Sequence, residues 1–379
     1  MSQEIHLWSE DYEQEIIRLA NSFPGLRHSF DDCGYLSNEF SDLERRVVPV
    51  ANPGVLEEFG EAGYHDALLS VQLNKNISPS SYKEFFSQLN EFMIKKNISM
   101  SKGNTTFVKG EPYAVLALTK KNRMMSLPVG KDEVLLGTID AYVEDRHFRK
   151  SGNATNPGFY SVCAAVSDIG ANGGAPVKLD LFFINPNIRF DDFLEGVSDA
   201  AEFLRVNQVT KTLEEDSKLG EFAAIISVIG RVAREKEMTL QGLEECMKVY
   251  VAGRAGVSRA ADYYTPKKHL MHNLDPDFRQ SVFSGIKSKA LCNDVSDGLD
   301  KGLRNLLRYN KTLDMRIDNS KLISTGDNPF GLKVSLDNIK FGGDDYCLVI
   351  ATHSELDKIE GVTRIGEAVK GRGNVVYLD

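Results

Sequence analysis

The sequence predicts an α/β protein of the α+β kind, divided into two or three domains. Three observations predict it. Short apolar runs of strand length alternate with stretches whose apolar residues recur every three or four positions, the period of a helix packed on one face. Clusters of Gly, Asn and Pro punctuate these segments. A chain of 379 residues, 42% hydrophobic and 26% charged, can also build more than one sizeable core.

In chain order, Ile5, Trp8, Tyr12, Ile16, Leu19 and Ala20 share one helical face over residues 4–23, and Pro24-Gly25 ends that helix. Asp31 and Asp32, beside Cys33-Gly34, read as a solvated loop pair rather than a metal site. Residues 67–73 read as a strand. Ser81 and Glu84 read as a capping box for a helix carrying Phe85, Phe86, Leu89, Phe92 and Met93. Residues 99–104 (SMSKGN) read as a linker, so residues 1–103 form a small α/β unit of their own.

From Phe107 the texture turns to strands, at residues 114–118, 122–128 and 134–141, the last delivering Asp140. The Gly/Asn-rich loop at 151–158 either offers backbone N–H groups to phosphate oxygens or, more often for such loops, simply connects. The apolar helix at 159–169 ends in Ser167-Asp168, where a carboxylate faces the negative end of the helix dipole. A residue that breaks a local rule in this way is a functional candidate. A strand at 177–184, a helix at 190–205, strands at 223–230 and 247–252 and a loop-rich insertion at 262–276 follow.

The most informative stretch is ALCNDVSDGLDKGL, residues 290–303. A short apolar strand runs into a turn bearing Asp294, Ser296, Asp297 and Gly298, and then into a helix with Leu299, Leu303, Leu306 and Leu307 on one face. One Asp in such a turn is a helix cap. A second, with a hydroxyl between, points to a hard cation, since Mg²⁺ takes a few carboxylate oxygens plus substrate phosphates. Two capping or surface aspartates would be the plain reading of an isolated turn. Phe341-Gly342-Gly343-Asp344-Asp345-Tyr346 supplies a second acidic turn before an apolar strand. Asp140, Asp168, Asp294, Asp297, Asp344 and Asp345 thus all fall at element ends. Removing one charge from such a cluster is expected to relieve repulsion and leave stability flat or slightly raised.

Composition excludes several classes. A net charge of −9 argues against a broad nucleic-acid surface. Five widely spaced cysteines with no CxxC pair disfavour a disulfide framework or a zinc site. The N-terminus is acidic without an apolar core, and no apolar run reaches the ~18 residues of a membrane span. The chain is expected to be cytoplasmic, with no nucleic-acid or membrane partner.

The order of these motifs resembles the aminoimidazole-ribonucleotide synthetase (PurM-like) superfamily, and within it the thiamine-monophosphate kinases. The family's TDTLVEGVHF is similar to residues 138–148, NLSDIAAMGARP to 165–176, DISDGL to 294–299 and GGEDYEL to 342–348. The resemblance covers residues 107–379 and leaves residues 1–103 outside. It implies a PurM-like two-half fold: a domain at 104–236 that closes a β-barrel across a homodimer interface, and a C-terminal α/β domain at 237–379. The dimer is expected through strands between Phe107 and Ala141, whose apolar edges would otherwise stay unpaired. It further implies ATP and Mg²⁺ as cofactors. The implied metal ligands are Asp140, Asp168, Asp294 and Asp297, with Asp140 and Asp297 catalytic. Gly110, Glu111, Ser167, Ser296, Gly298, Gly342, Gly343, Asp344 and Asp345 would contact nucleotide or substrate.

The implied activity is transfer of the γ-phosphate of ATP to a small phosphorylated metabolite. An ATP-activating synthetase and a non-catalytic nucleotide-binding scaffold, with residues 1–103 serving a protein partner, are the alternatives. Two departures bear on the choice. The family's GDDAAVL reads Gly110-Glu111-Pro112-Tyr113-Ala114-Val115-Leu116 here, and its GGDTT falls on Val209-Thr210-Lys211-Thr212-Leu213. Two carboxylates are lost, and phosphorylation of thiamine monophosphate is expected to be very weak, with any real activity directed at another acceptor.

Overall fold

A computed structural model of the chain describes residues 15–26, 34–36, 42–58, 64–74, 76–107, 111–120, 130–144, 147, 157–186, 190–214, 221–261 and 267–379. In chain order the strands are β1 (Gly34–Leu36), β2 (Asp42–Pro49), β3 (Tyr64–Leu73), β4 (Ser99–Phe107), β5 (Tyr113–Lys120), β6 (Glu133–Val143), β7 (Ala175–Ile184) and β8 (Gln208–Glu214). They continue with β9 (Ala223–Ala233), β10 (Lys248–Ala252), β11 (Ala290–Asp294), β12 (Leu313–Asp318), β13 (Leu348–Thr352), β14 (Val362–Lys370) and β15 (Val375–Leu378). The chain divides into two compact units. The first is Met1–Gly152, Val177–Phe190 and Gln208–Arg231, and the second is Asn153–Pro176, Asp191–Asn207 and Val232–Asp379. Mixed helices and sheets bear out the α+β expectation.

The first unit holds two sheets. One runs β2-β5-β3-β4 and the other β1-β6-β9-β7-β8. Alternation along β3 and β5 explains how they stack, because successive side chains leave opposite faces of a strand. Leu69, Val71, Leu73, Leu116 and Leu118 face a core completed by Phe85, Phe86, Leu89 and Met93 of the helix Tyr82–Lys96. Leu68, Tyr113, Val115 and Ala117 join a second core with Leu135, Ile139, Phe182, Ile225 and Ile229 of the other sheet. One sheet of the first unit is therefore sandwiched between a helix and the second sheet.

Several expectations change here. Residues 99–104 are not a linker but the first two thirds of β4, which pairs in parallel with β3 from Asp66↔Ser99 to Leu73↔Phe107. The boundary drawn at 103/104 passes through that strand. Composition suggested a linker because Ser, Gly and Asn are poor strand formers, but tertiary pairing outweighs propensity in sheets. The capping box is not formed: Ser81 is helical and its side chain caps nothing, while Glu84 accepts from Gln88 Nε2 at 3.3 Å.

β5 is paired on both sides, by β2 and β3, and β6 lies between β1 and β9. The strands from which a dimer seam was expected already have neighbours within the chain. Among the described residues, no pairing closes either sheet into a barrel. The strand expected at 122–128 and most of the loop at 151–158 lie outside the described residues.

The second unit is one six-stranded sheet, β11-β13-β10-β14-β12-β15, antiparallel except for the β12–β15 pair. Strands β10, β11 and β13 are buried along almost their whole length, which matches their continuous apolar runs. The helix Leu299–Leu307 presents Leu299, Leu303, Leu306 and Leu307 to this sheet, as its period predicts. The insertion expected to be loop-rich instead contains the helix Lys267–Asn273, and a second helix, Pro276–Gly285, begins where it ends. The second opens with Asp275 as N-cap and Pro276 at the first helical position, a strong pairing of start signals. Among the described residues, no helix is long and apolar enough to cross a membrane.

Candidate functional site

The two acidic turns of the second unit are locked to one another. Asp294 ends β11, and Val295 N donates to Cys347 O at 2.8 Å. Asp344 N donates to Ser296 O at 2.8 Å and Tyr346 N to Val295 O at 3.1 Å. Two glycines permit this approach. Gly298 has φ +98°, where a side chain would be strained, and a Cβ on Gly343 would sit 2.4 Å from the Ser296 carbonyl oxygen. Gly343→Ala is therefore expected to force the turns apart and destabilise the protein by about 1–3 kcal/mol, read as a lowered denaturation midpoint. An unchanged midpoint would show that the turns move independently.

Asp294 is almost wholly buried, and its Oδ2 accepts from Ser167 Oγ at 2.6 Å across 127 positions of sequence. Ser167 and Asp168 sit near the C-terminal end of the helix Pro157–Ala171, as expected, Asp168 being half-buried. Arg279 is buried in the same unit, donating from Nε to Asn273 O at 3.2 Å and from Nη2 to Tyr346 O at 3.0 Å. Burial pulls its guanidinium below its usual range, and the Asp294 charge works against that. Asp297 is exposed and paired with Lys301 Nζ at 2.7 Å, one turn along the next helix. Such exposed pairs contribute little and are readily displaced.

The neighbouring aspartates of the second turn differ sharply. Asp345 has no solvent exposure, and its carboxylate accepts from Gly256 N and Ser258 N and lies 3.0 Å from His269 Nε2. It braces the turn before the short helix Val257–Ala260, so its oxygens are committed to the protein itself rather than free for nucleotide or substrate. Asp344 keeps solvent contact yet lies among enough protein that desolvation pushes its carboxyl up to about 6. The hydroxyls of Tyr160 and Tyr346 oppose the shift, and the charges of Asp297 and Asp345 add to it.

Asp140 stands half-buried on β6, and Glu111 is exposed outside any strand or helix; both belong to the first unit. Gly110 lies outside the described residues. Thr210, Lys211 and Thr212 lie on β8, the edge strand paired in parallel with β7, and are exposed. His269, Asn273, Arg279, Ser258 and Tyr160 were not expected at the site. His269 and Asn273 come from the insertion read as loop, and Arg279 from the helix just after it, where only the Asp275-Pro276 start signal marked a helix.

Among the described residues, no three His, Cys, Asp or Glu side chains cluster closely enough to hold a metal ion. A Mg²⁺ ion carried with a nucleotide needs no such cage, because it keeps waters and takes one or two carboxylates plus phosphate oxygens. Asp168, Asp294 and Asp297 offer hard oxygen donors only, which fits that ion.

Residues 121–232 match the family described as AIR synthase related protein, N-terminal domain. The thiamine-monophosphate kinase of Aquifex aeolicus is 27% identical over 266 residues, 65% of this chain and 84% of that protein. A solved structure of AaThiL complexed with AMPPCP and TMP superposes with a TM-score of 0.53 at 22% identity, covering 66% of this chain and 86% of the other. The thiamine-monophosphate kinase structure from Stenotrophomonas maltophilia gives 0.54 at 19% identity, covering 67% and 87%. The chain thus has the PurM-like fold, with an AIR synthase related domain over residues 121–232 and an additional N-terminal region.

Proposed function

We propose that the chain is an ATP- and Mg²⁺-dependent phosphotransferase of the cytoplasm, acting on a small phosphorylated metabolite of the kind thiamine-monophosphate kinases use. The observation that carries this reading is the interlock of the 294–298 and 342–346 turns. It sets the carboxylates of Asp294, Asp297 and Asp344 on one part of the second unit at the cost of a buried ionisable network. Packing alone does not call for such an arrangement, and perturbed carboxyl groups of this kind cluster at functional sites.

In this reading an oxygen of the acceptor's phosphate attacks the γ-phosphorus of ATP in line, the bond to the β,γ-bridging oxygen breaks, and ADP leaves. Chemistry of this kind needs positioning and charge neutralisation more than a nucleophilic side chain. Mg²⁺, held by Asp168, Asp294 and Asp297, would supply neutralisation on the phosphate oxygens. Ser167 holds the Asp294 carboxylate in place, Ser296 and Gly298 shape the triphosphate turn, and Asp344 borders the acceptor.

Pro112 and the Thr210-Lys211-Thr212 segment provide no carboxylate where the family has one. A few kcal/mol of lost transition-state stabilisation is worth about a hundredfold in rate. Turnover of thiamine monophosphate is therefore expected to be measurable but slow. The test pairs titration calorimetry of MgATP with a phosphate-transfer assay on thiamine monophosphate, using parent protein and Lys211→Ala. Absence of MgATP binding would sink the phosphotransferase reading. Fast turnover unaffected by Lys211→Ala would show that the two departures carry no weight.

A further inference from the structure

The backbone around Asp344 is unusual in a way the phosphate site does not require. Asp344 and Tyr346 both adopt the left-handed conformation, with φ 65° and 51°, although neither is glycine. Such residues persist only where surrounding structure holds them, and they concentrate at functional sites. Here the restraints are visible. Ser258 Oγ donates to Asp344 O at 2.8 Å, Asn273 Nδ2 to Asp345 O at 2.7 Å, and Arg279 Nη2 to Tyr346 O at 3.0 Å. Three successive carbonyls are pinned by three side chains, so the backbone is fixed and the Asp344 side chain is what remains to be aimed.

Two tyrosines do the aiming. Tyr346 Oη lies 3.2 Å from Asp344 Oδ1 and 3.0 Å from Tyr160 Oη, and the two rings meet edge to face with centroids 5.9 Å apart. A phenol has one proton to give. The carboxylate is the stronger acceptor, so Tyr346 donates to Asp344, and Tyr160, hydrogen-bonded to the same carboxylate, donates to it as well. Burial and the Asp344 charge push the Tyr160 hydroxyl well above its ordinary range, which keeps it protonated and a donor.

We infer that Tyr160 is a positioning residue that, together with Tyr346, holds the Asp344 carboxylate in one orientation toward the phosphate acceptor. The inference rests on the phosphotransferase reading for what Asp344 faces, but not for the hydrogen-bonded chain itself. Tyr160 comes from the helix Pro157–Ala171, seven residues before Ser167, so one helix serves both acidic turns: Ser167 holds Asp294 while Tyr160 holds Asp344.

The test is a double-mutant cycle on turnover of thiamine monophosphate with MgATP, alongside crystal structures of the parent, Tyr160→Phe and Tyr346→Phe. Tyr160→Phe should lower kcat/KM about tenfold, the usual order for one hydrogen bond supporting a charged group. Affinity for MgATP and the melting midpoint should change little. On an Asp344→Asn background the same substitution should cost nothing further, because contacting residues that act as a unit are not additive. In the crystal, Asp344 should lose its single side-chain orientation in both phenylalanine variants. Additive losses, or an Asp344 carboxylate in its parental orientation in Tyr160→Phe, would overturn the inference. A parent that turns over no thiamine monophosphate would instead count against the functional reading, and the crystal structures would still decide the role of Tyr160.

Discussion

Deletion of residues 1–107 is expected to leave the remainder of the chain insoluble. The deletion removes β1, β2, β3, β4 and the helix Tyr82–Lys96, and with them every sheet neighbour of β5. Leu116 and Leu118 lose the core they share with Phe85, Phe86 and Leu89. On the opposite face, Leu68 no longer covers the core of Tyr113, Val115, Ala117, Leu135, Ile139 and Ile225. Each such side chain contributes roughly 1.5–3 kcal/mol by burial, and whole domains are stable by only about 5–15 kcal/mol. Uncovering half a dozen is more than the fold can absorb, and it exposes a bare strand edge that invites aggregation. The check is expression of residues 108–379 followed by gel filtration and thermal melting. A soluble fragment with a cooperative melt would restore the view of the N-terminal region as a separate appendage, free to serve a partner.

That region shows where sequence reading stops. Buried strands of the second unit were legible because β10, β11 and β13 are apolar along their length, and the helix Leu299–Leu307 because its leucines repeat at the helical period. β4 was not legible, since its SMSKGNTTF composition is that of a loop and only pairing with β3 makes it a strand. The acidic turns were likewise readable as turns, but not what they touch. Ser167 and Asp294 stand 127 positions apart, and nothing local says that they bond. The pair Asp344-Asp345 reads as two equivalent carboxylates, while the fold sends one to the site and the other into the interior against His269. Which of two adjacent aspartates turns inward depends on the left-handed backbone at Asp344, a conformation that its residue type does not announce.

Asp294→Asn is expected to abolish MgATP-dependent phosphoryl transfer, with a loss of about a hundredfold or more, and to destabilise the protein as well. The second effect reverses the expectation from charge counting alone, in which thinning an acidic cluster relieves repulsion. The fold has placed Asp294 in the interior, where its charge acts on a buried cation. Arg279 is buried, and the Asp294 charge supports its ionised form against desolvation. Removing a buried counter-charge leaves the Arg279 charge less compensated, which destabilises the fold. Asn also weakens the short bond from Ser167 Oγ, since hydrogen bonds to charged groups contribute about 1.5–3 kcal/mol. Ser167→Ala separates the two roles. It removes that bond while keeping the carboxylate, so it should lower the melting midpoint yet leave MgATP binding measurable. The experiment is calorimetric titration of MgATP and thermal melting on parent, Asp294→Asn and Ser167→Ala. If Asp294→Asn melts early but binds MgATP like the parent, the carboxylate is a counter-charge for Arg279 and no ligand. If it melts with the parent and loses MgATP, the site stands and the charge of Asp294 near Arg279 is worth nothing to the fold.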